Sequence, residues 1–337
     1  MIHLPILFIH GFNGAPSNWT GAADQFPQYL VKHGFDPELM RVFNYGYVES
    51  EGKRYYNNTG DIRQIAHRLD EANSNDPELI ESSVDRLSEM SRQRDGPEKI
   101  TIIAHSSGGL IARYYLTRQH ADAFGTRYRG NVGRVIFLGT PHSGVDVEDI
   151  LDPLPGALTY GLMIRFHYLF PLDYNADFHT FRNRVRHLRK KVWRDWRKSH
   201  RGDQTTEMPA FRQLHPGSDF LKEINRPGVM PRDIDYYNVV GDISAGVRFQ
   251  VGKHTGIDRK KDFGDFLVTV KSAGKIPNAA SHCFSVRTEF CFAVNTTQPW
   301  NRVLQIGKYG ERKLPLHRYL RRHPVIQNHV LEILAGG

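Results

Sequence analysis

Apolar positions in the first 140 residues follow two alternating patterns: short, nearly unbroken apolar runs, and longer stretches where apolar residues recur every three or four positions. Ile6-Leu7-Phe8-Ile9 reads as a buried strand ending at His10-Gly11, and Met40 to Phe43 as a weaker one. Asp61 opens a helical pattern with Ile62, Ile65, Ala66 and Leu69 on one face, and a second pattern carries Ile80, Val84 and Leu87. Lys99 to Ala104 is the clearest central strand, because Ile100, Ile102 and Ile103 are β-branched and the run is almost continuously apolar. Leu110 to Leu116 follows as a helix, and Val135 to Leu138 is the next strand, ending at Gly139-Thr140-Pro141-His142. Strand and helix in alternation predict an α/β fold whose mostly parallel central sheet is flanked by helices.

The pattern changes from about Val145 to Arg232, where prolines, aromatics and basic residues replace the alternation. We read residues 146–232 as a cap or lid inserted over the sheet's C-terminal edge, within a single domain spanning 1–337. Strand character returns at Tyr236 to Val240, at Phe266 to Val270 and near Val303 to Ile306, and a closing helix runs from about Pro324 to Leu334.

Composition is that of an ordinary globular chain of 337 residues. The most apolar stretch, Leu154 to Leu172, contains Arg165, His167 and two prolines, so it reads as protein-buried or interfacial rather than membrane-spanning. The net charge of +9 is unevenly placed: Arg182 to Arg201 holds ten Lys or Arg against the single acid Asp195. Val185, Leu188, Val192 and Trp196 share one helical face there, so the stretch reads as a basic amphipathic helix. It either meets an anionic membrane surface or packs its apolar side on the cap. No nucleic-acid reader motif accompanies the charge, which disfavours nucleic acid as a partner. The first strand begins at about Pro5 and leaves no room for a signal peptide, so the chain is expected in the cytoplasm unless a leader has been removed. Cys283 and Cys291 lie in one strand-like stretch; on a single strand eight residues at ~3.3 Å put them roughly 26 Å apart, so they are expected to be free thiols.

The sharpest chemical signal is Ala104-His105-Ser106-Ser107-Gly108-Gly109, between a buried strand and a helix. A nucleophilic serine lifted off a sheet on a tight turn needs small residues two before and two after it, and Ala104 and Gly108 supply them. Ser107 fits less well, because His105 would then occupy the first small position. The competing reading is a Ser-Gly turn that merely caps the helix. Ile9-His10-Gly11-Phe12-Asn13-Gly14 is the second signal. Attack on an ester creates a tetrahedral oxyanion that needs two donors, and the backbone N–H groups of Phe12 and Ser107 are the natural pair. No metal-ligand or nucleotide-binding spacing is present, and no cofactor is expected.

The segments FIHGF, AHSSGGLIARYYL and FLGTPHSGV, in that order, resemble the lipase and esterase branch of the α/β-hydrolase superfamily. The likeness is to triacylglycerol lipases and to the lipase-like domain of GPI inositol-deacylases. Phe211 to Leu221 also resembles the stretch that follows the lid in such lipases. The resemblance implies a Ser, Asp, His order. Gly264-Asp265-Phe266 through Ser272-Ala273 is similar to the family's acid loop, with Phe266 in place of a glycine, and it nominates Asp265; Asp262, Asp258 and Asp242 are the alternatives. Leu314 to Leu320 is similar to the segment that carries the base, and it nominates His317, with His323, His329 and His282 as rivals among 17 histidines. The implied activity is cleavage of carboxylic esters, of lipid or long-chain acyl type, through an acyl-enzyme. The same triad would also serve an acyl thioesterase or an acyltransferase, and a non-catalytic lipid- or protein-binding module is the remaining reading.

Overall fold

The computed structural model describes residues 4–145 and 208–336, except 13, 21–24, 51, 57, 71–82, 119, 121, 124, 126, 252–253, 266, 296–303, 311–314 and 316. The chain divides into two compact units, Met1–Val145 with Pro209–Gly337, and Asp146–Met208. Residues 146–207 of the expected cap at 146–232, with its basic amphipathic stretch and Leu154 to Leu172, lie outside the described residues. The two short helices that follow, Pro209–Leu214 and Asp219–Ile224, belong to the unit that holds the sheet.

Among the described residues that sheet has eight strands. Strands β1 (Ile6–Ile9), β2 (Met40–Val42), β5 (Ile100–His105), β6 (Val132–Leu138), β7 (Asp235–Val251), β8 (His254–Gly264), β9 (His282–Asn295) and β10 (Leu304–Gly310) form it, while β3 (Tyr47–Ser50) and β4 (Lys53–Tyr56) pair as a separate hairpin. The order is β10-β9-β7-β6-β5-β1-β2, with β8 paired to β7. Neighbours from β2 to β9 run parallel, and β10 and β8 are antiparallel additions.

Side-chain alternation explains why both faces are covered. In β1, Leu7 and Ile9 pack in one apolar cluster with Ile102 and Phe137, whereas Ile6 and Phe8 pack in another with Ile103 and Ile136. The first cluster is closed by the Ile62–His67, Val84–Arg92 and Gly108–Thr117 helices through Ile65, Leu87 and Ile111. The second is closed by Phe26–Lys32 and Pro324–Leu334 through Leu30, Ile326 and Val330. Burying each such side chain contributes roughly 1.5–3 kcal/mol, so this two-sided apolar demand fixes the sheet as the middle layer. Asp61 and Ser83 cap their helices through side-chain oxygens on Arg63 N and Arg86 N.

Two readings of the sequence change here. Tyr236 to Val240 is only the start of β7, which continues to Val251 because β8 and β9 pair with its second half from either side. The strand expected at Phe266 to Val270 is not found among its described residues: β8 ends at Gly264, Leu267 to Thr269 lie in no strand, and Val270–Ala273 is a short helix capped by Thr269, whose hydroxyl accepts from Ser272 N. Side-chain oxygens at Asp265 and Thr269 satisfy the local amides and so compete with a strand ladder. Cys283 is free and exposed, and Cys291 sits eight residues along on the same strand.

Candidate active site

The parallel order places the C-terminal ends of β1, β5 and β6 side by side, and the loops leaving them converge. Ser106 follows the last residue of β5 and has φ of 58°, in the left-handed region that side-chain-bearing residues rarely adopt. Its own N–H donates to Leu138 O at 2.9 Å, which holds the turn against β6. Small neighbours are a steric requirement. A Cβ at Gly11 would lie 2.5 Å from Ser106 Cβ, and one at Gly108 would lie 2.6 Å from His10 O.

Three side chains that are distant in sequence meet at this turn. Ser106 Oγ lies 2.7 Å from His317 Nε2, and His317 Nδ1 lies 2.6 Å from Asp265 Oδ2. Asp265 is almost wholly buried, and its other oxygen, Oδ1, accepts from Leu267 N at 3.0 Å and Val268 N at 2.7 Å. Both peptide groups of His317 are also held: its N–H donates to Asp265 O at 3.0 Å, and its carbonyl accepts from His105 Nε2 at 2.8 Å. That bond requires His105 to carry its proton on Nε2. Burial, with the positive charge of Arg321 next, pushes the His105 pKa well below its ordinary value, so the ring is a neutral donor.

The other nominated residues fall elsewhere. Asp242 lies 3.5 Å from Arg287, and Asp262 stands in β8 opposite Ser244. Asp258 is also a β8 residue. Among the bases, His323 immediately precedes the final helix, His329 stacks on Phe284 at 3.7 Å, and His282 stacks on Tyr237 at 5.0 Å.

The two nominated oxyanion donors are the backbone amides of Phe12 and Ser107. Among the described residues, neither Phe12 N–H nor Ser107 N–H donates a hydrogen bond. Ser107 opens the Gly108–Thr117 helix, where first-turn amides point outward and the helix dipole is positive. The Phe12 loop is anchored by His10, whose Nδ1 lies 2.9 Å from Tyr45 Oη, and burial lowers the His10 pKa to about 4. Asn58, from the turn after β4, reaches between the two strands: Nδ2 lies 2.8 Å from Ser107 Oγ and 3.5 Å from His10 O. Sequence reading passed over Asn58 and Tyr45, because an Asn-Asn-Thr-Gly segment signals only a turn. Among the described residues, no group of three or more His, Cys, Asp or Glu is arranged to hold a metal, and no helix is long and apolar enough to cross a membrane.

Several solved structures match the chain at low similarity. Phospholipase PlaB from Legionella pneumophila is 14% identical, with 76% of this chain and 48% of that one covered and a TM-score of 0.38, so this chain spans about half its length. Bacillus licheniformis lipase BlEst2 is 16% identical over 84% of each chain, with a TM-score of 0.39. Lipase 1 from Pelosinus fermentans is 14% identical over 100% of this chain and 98% of that one, with a TM-score of 0.42. Comparison with curated protein sequences finds no match. Residues 2–149 match the family described as PGAP1-like alpha/beta domain, a span that contains β1, the Ser106 turn and β6. The sheet order and the left-handed serine between β5 and its helix are those of an α/β-hydrolase fold, and residues 2–149, somewhat under half of the chain, are similar to the PGAP1-like alpha/beta domain.

Proposed function

We propose that the chain is a serine esterase that hydrolyses carboxylic esters of apolar acyl groups through an acyl-Ser106 intermediate. The observation that carries this reading is the continuous hydrogen-bonded path from Ser106 Oγ through His317 to Asp265, beside two amides that donate to no described residue. His317 Nε2 takes the Ser106 proton as Oγ attacks the ester carbonyl, and the carbonyl oxygen becomes an oxyanion held by Phe12 N–H and Ser107 N–H. Collapse breaks the bond to the leaving alkoxide, which receives the proton from His317 and departs as an alcohol. Water then attacks the acyl-Ser106 carbonyl, gives its proton to His317, and the second collapse releases the carboxylic acid and restores Ser106 Oγ–H. Asp265 stabilises the imidazolium that forms twice in this cycle and keeps Nδ1 protonated.

The preference for apolar acyl groups is supported by the aromatic rings of Phe12 and Phe211, 6.4 Å apart at the oxyanion loop, of which Phe211 is half exposed. The reading is tested by labelling with a fluorophosphonate probe and by turnover of p-nitrophenyl esters from acetate to palmitate, in wild type and Ser106→Ala. Labelling and turnover that vanish in Ser106→Ala, with kcat/KM rising with chain length, are expected. A folded wild type that neither labels nor turns over any ester refutes it.

A further inference from the structure

Asn58 combines three features that nothing in the fold of the β4 turn demands. It is a residue with a side chain at φ of 58°, in the left-handed region. It is 1% exposed although it stands in a connection between elements. Its Oδ1 is buried without a hydrogen-bond partner among the described residues, while Nδ2 points to Ser107 Oγ at 2.8 Å and lies 3.5 Å from His10 O. Backbone outliers and unsatisfied buried polar atoms gather where function rather than packing sets the residue.

The two groups that Asn58 reaches belong to the two strands carrying the oxyanion amides. His10 is the residue after β1 and lies two before Phe12; Ser107 follows the nucleophile on β5's turn. Those segments touch through Gly11 and Gly108, and among the described residues no backbone hydrogen bond outside the strand pairing joins them. Other polar contacts on this loop, Tyr45 Oη with His10 Nδ1, His10 Nδ1 with Gly11 O and Gly14 N–H with Gly11 O, stay within the loop or act on the His10 ring rather than across to Ser107. We infer that Asn58 is a positioning residue whose carboxamide ties the Phe12 loop to the Ser107 turn and so sets the separation of the two oxyanion donors. This inference rests on the esterase reading of Ser106.

An amide nitrogen suits the task. It offers two N–H donors to two oxygen acceptors, which a carboxylate of the same shape cannot do. A carboxylate there would also bring negative charge beside the forming oxyanion. Misplacing a donor by about 1 Å is enough to lower the rate by up to about 10²-fold, and removing a donor outright costs ~10²–10³-fold.

The test uses the full chain, p-nitrophenyl butyrate turnover, and inhibition by phenylboronic acid, whose tetrahedral adduct with Ser106 Oγ places a boronate oxygen where the oxyanion sits. Asn58→Gly deletes the carboxamide while keeping the left-handed backbone accessible, and Asn58→Asp keeps shape without the donors. Both are expected to lower kcat by about 10- to 100-fold, leave KM within about twofold, and weaken phenylboronic acid in proportion to kcat. Ser107→Ala, which removes the acceptor but keeps the backbone N–H, is expected to give a similar loss, and Asn58→Gly with Ser107→Ala no more than either alone. A folded Asn58 variant with wild-type kcat and boronate affinity overturns the inference, as do independent losses that multiply in the double variant. Fluorophosphonate labelling of wild type and Ser106→Ala is run alongside: labelling present with an unaffected Asn58→Gly refutes only the positioning role, and labelling absent from wild type refutes both.

Discussion

Replacing Asp265 by Asn isolates the one charge in the Ser106–His317–Asp265 path with minimal change of shape. Where the new NH₂ goes is decided by the surroundings. Oδ1 accepts from two backbone amides, Leu267 N and Val268 N, so an amide nitrogen there would face two donors. The Asn carbonyl therefore keeps the Oδ1 place, and the NH₂ takes the Oδ2 place 2.6 Å from His317 Nδ1. A donor in that place can only be accepted by an unprotonated Nδ1, which moves the ring proton to Nε2, the atom that must accept from Ser106. The wrong tautomer lowers kcat by roughly 10⁴-fold, and at 1.36 kcal/mol per factor of ten this is about 5 kcal/mol of transition-state stabilisation. Steady-state hydrolysis of p-nitrophenyl butyrate measures it, with thermal melting as the control for folding. KM should stay near wild type, because Asp265 is buried and is separated from Ser106 Oγ by the His317 ring. An Asp265→Asn protein that melts like wild type and keeps kcat within tenfold, while Ser106→Ala is inert, would refute the assignment and return attention to Asp242, which lies beside Arg287.

Other perturbations probe the frame around the site. Gly11→Ala puts a Cβ 2.5 Å from Ser106 Cβ, so the Phe12 loop has to move outward; p-nitrophenyl butyrate kcat should fall by about 10²-fold, and a wild-type rate would show that the loop need not be in close contact. Ile103→Ala empties a fully buried position on β5 and should lower unfolding free energy by about 2–5 kcal/mol in urea titration; a loss under 1 kcal/mol would mean the sheet closes over the gap. Arg118→Ala removes the buried guanidinium paired with the carboxylates of Asp70 and Asp122, 2.7 and 3.3 Å away and nearly solvent-free, and should cost about 3–5 kcal/mol by the same titration. Stability should also decline as pH falls from 6.5 toward 4: burial lowers the His10 pKa from 6.5 to about 4, so the unfolded chain binds a proton that the folded one refuses, and stability complete above pH 6.5 is lost on the way down. At ~1.4 kcal/mol per pH unit this amounts to about 3 kcal/mol for His10 alone, with His105 and His142 shifted in the same direction, and urea titrations at pH 7 and 4.5 that agree would rule it out.

How much of this could be read from the chain depends on how far apart the contributing residues lie. Ser106 and Ser107 stand in an unbroken strand-turn-helix segment, and Phe12 in the loop that ends β1, so residue types and spacing alone located them at strand ends. The central strands were legible for a related reason: β1, β5 and β6 are covered on both faces, which demands apolar residues without alternation. β7 runs to Val251 because strands pair with it on either side, and backbone ladders write no distinctive side-chain pattern. The strand expected at Phe266 to Val270 shows the opposite failure. Val268 and Val270 favour a strand by type, but the Asp265 carboxylate and the Thr269 hydroxyl capture the amides a ladder would use.

The same distinction separates His317 from the other sixteen histidines. Nothing in its own segment states that Asp265 O will accept its N–H or that His105 will donate to its carbonyl, contacts that span 52 and 212 residues. Only the resemblance of Leu314 to Leu320 to a known base-bearing segment pointed to it, and without that likeness His323 would have been as good a choice. Asn58 had no such help. Its partners lie 48 and 49 residues away, and its neighbours Thr59 and Gly60 make it look like an ordinary turn residue. A nucleophile announces itself because the turn that exposes it constrains its immediate neighbours. The groups that aim it are held by backbone atoms from other strands, and a backbone atom has no letter in the sequence.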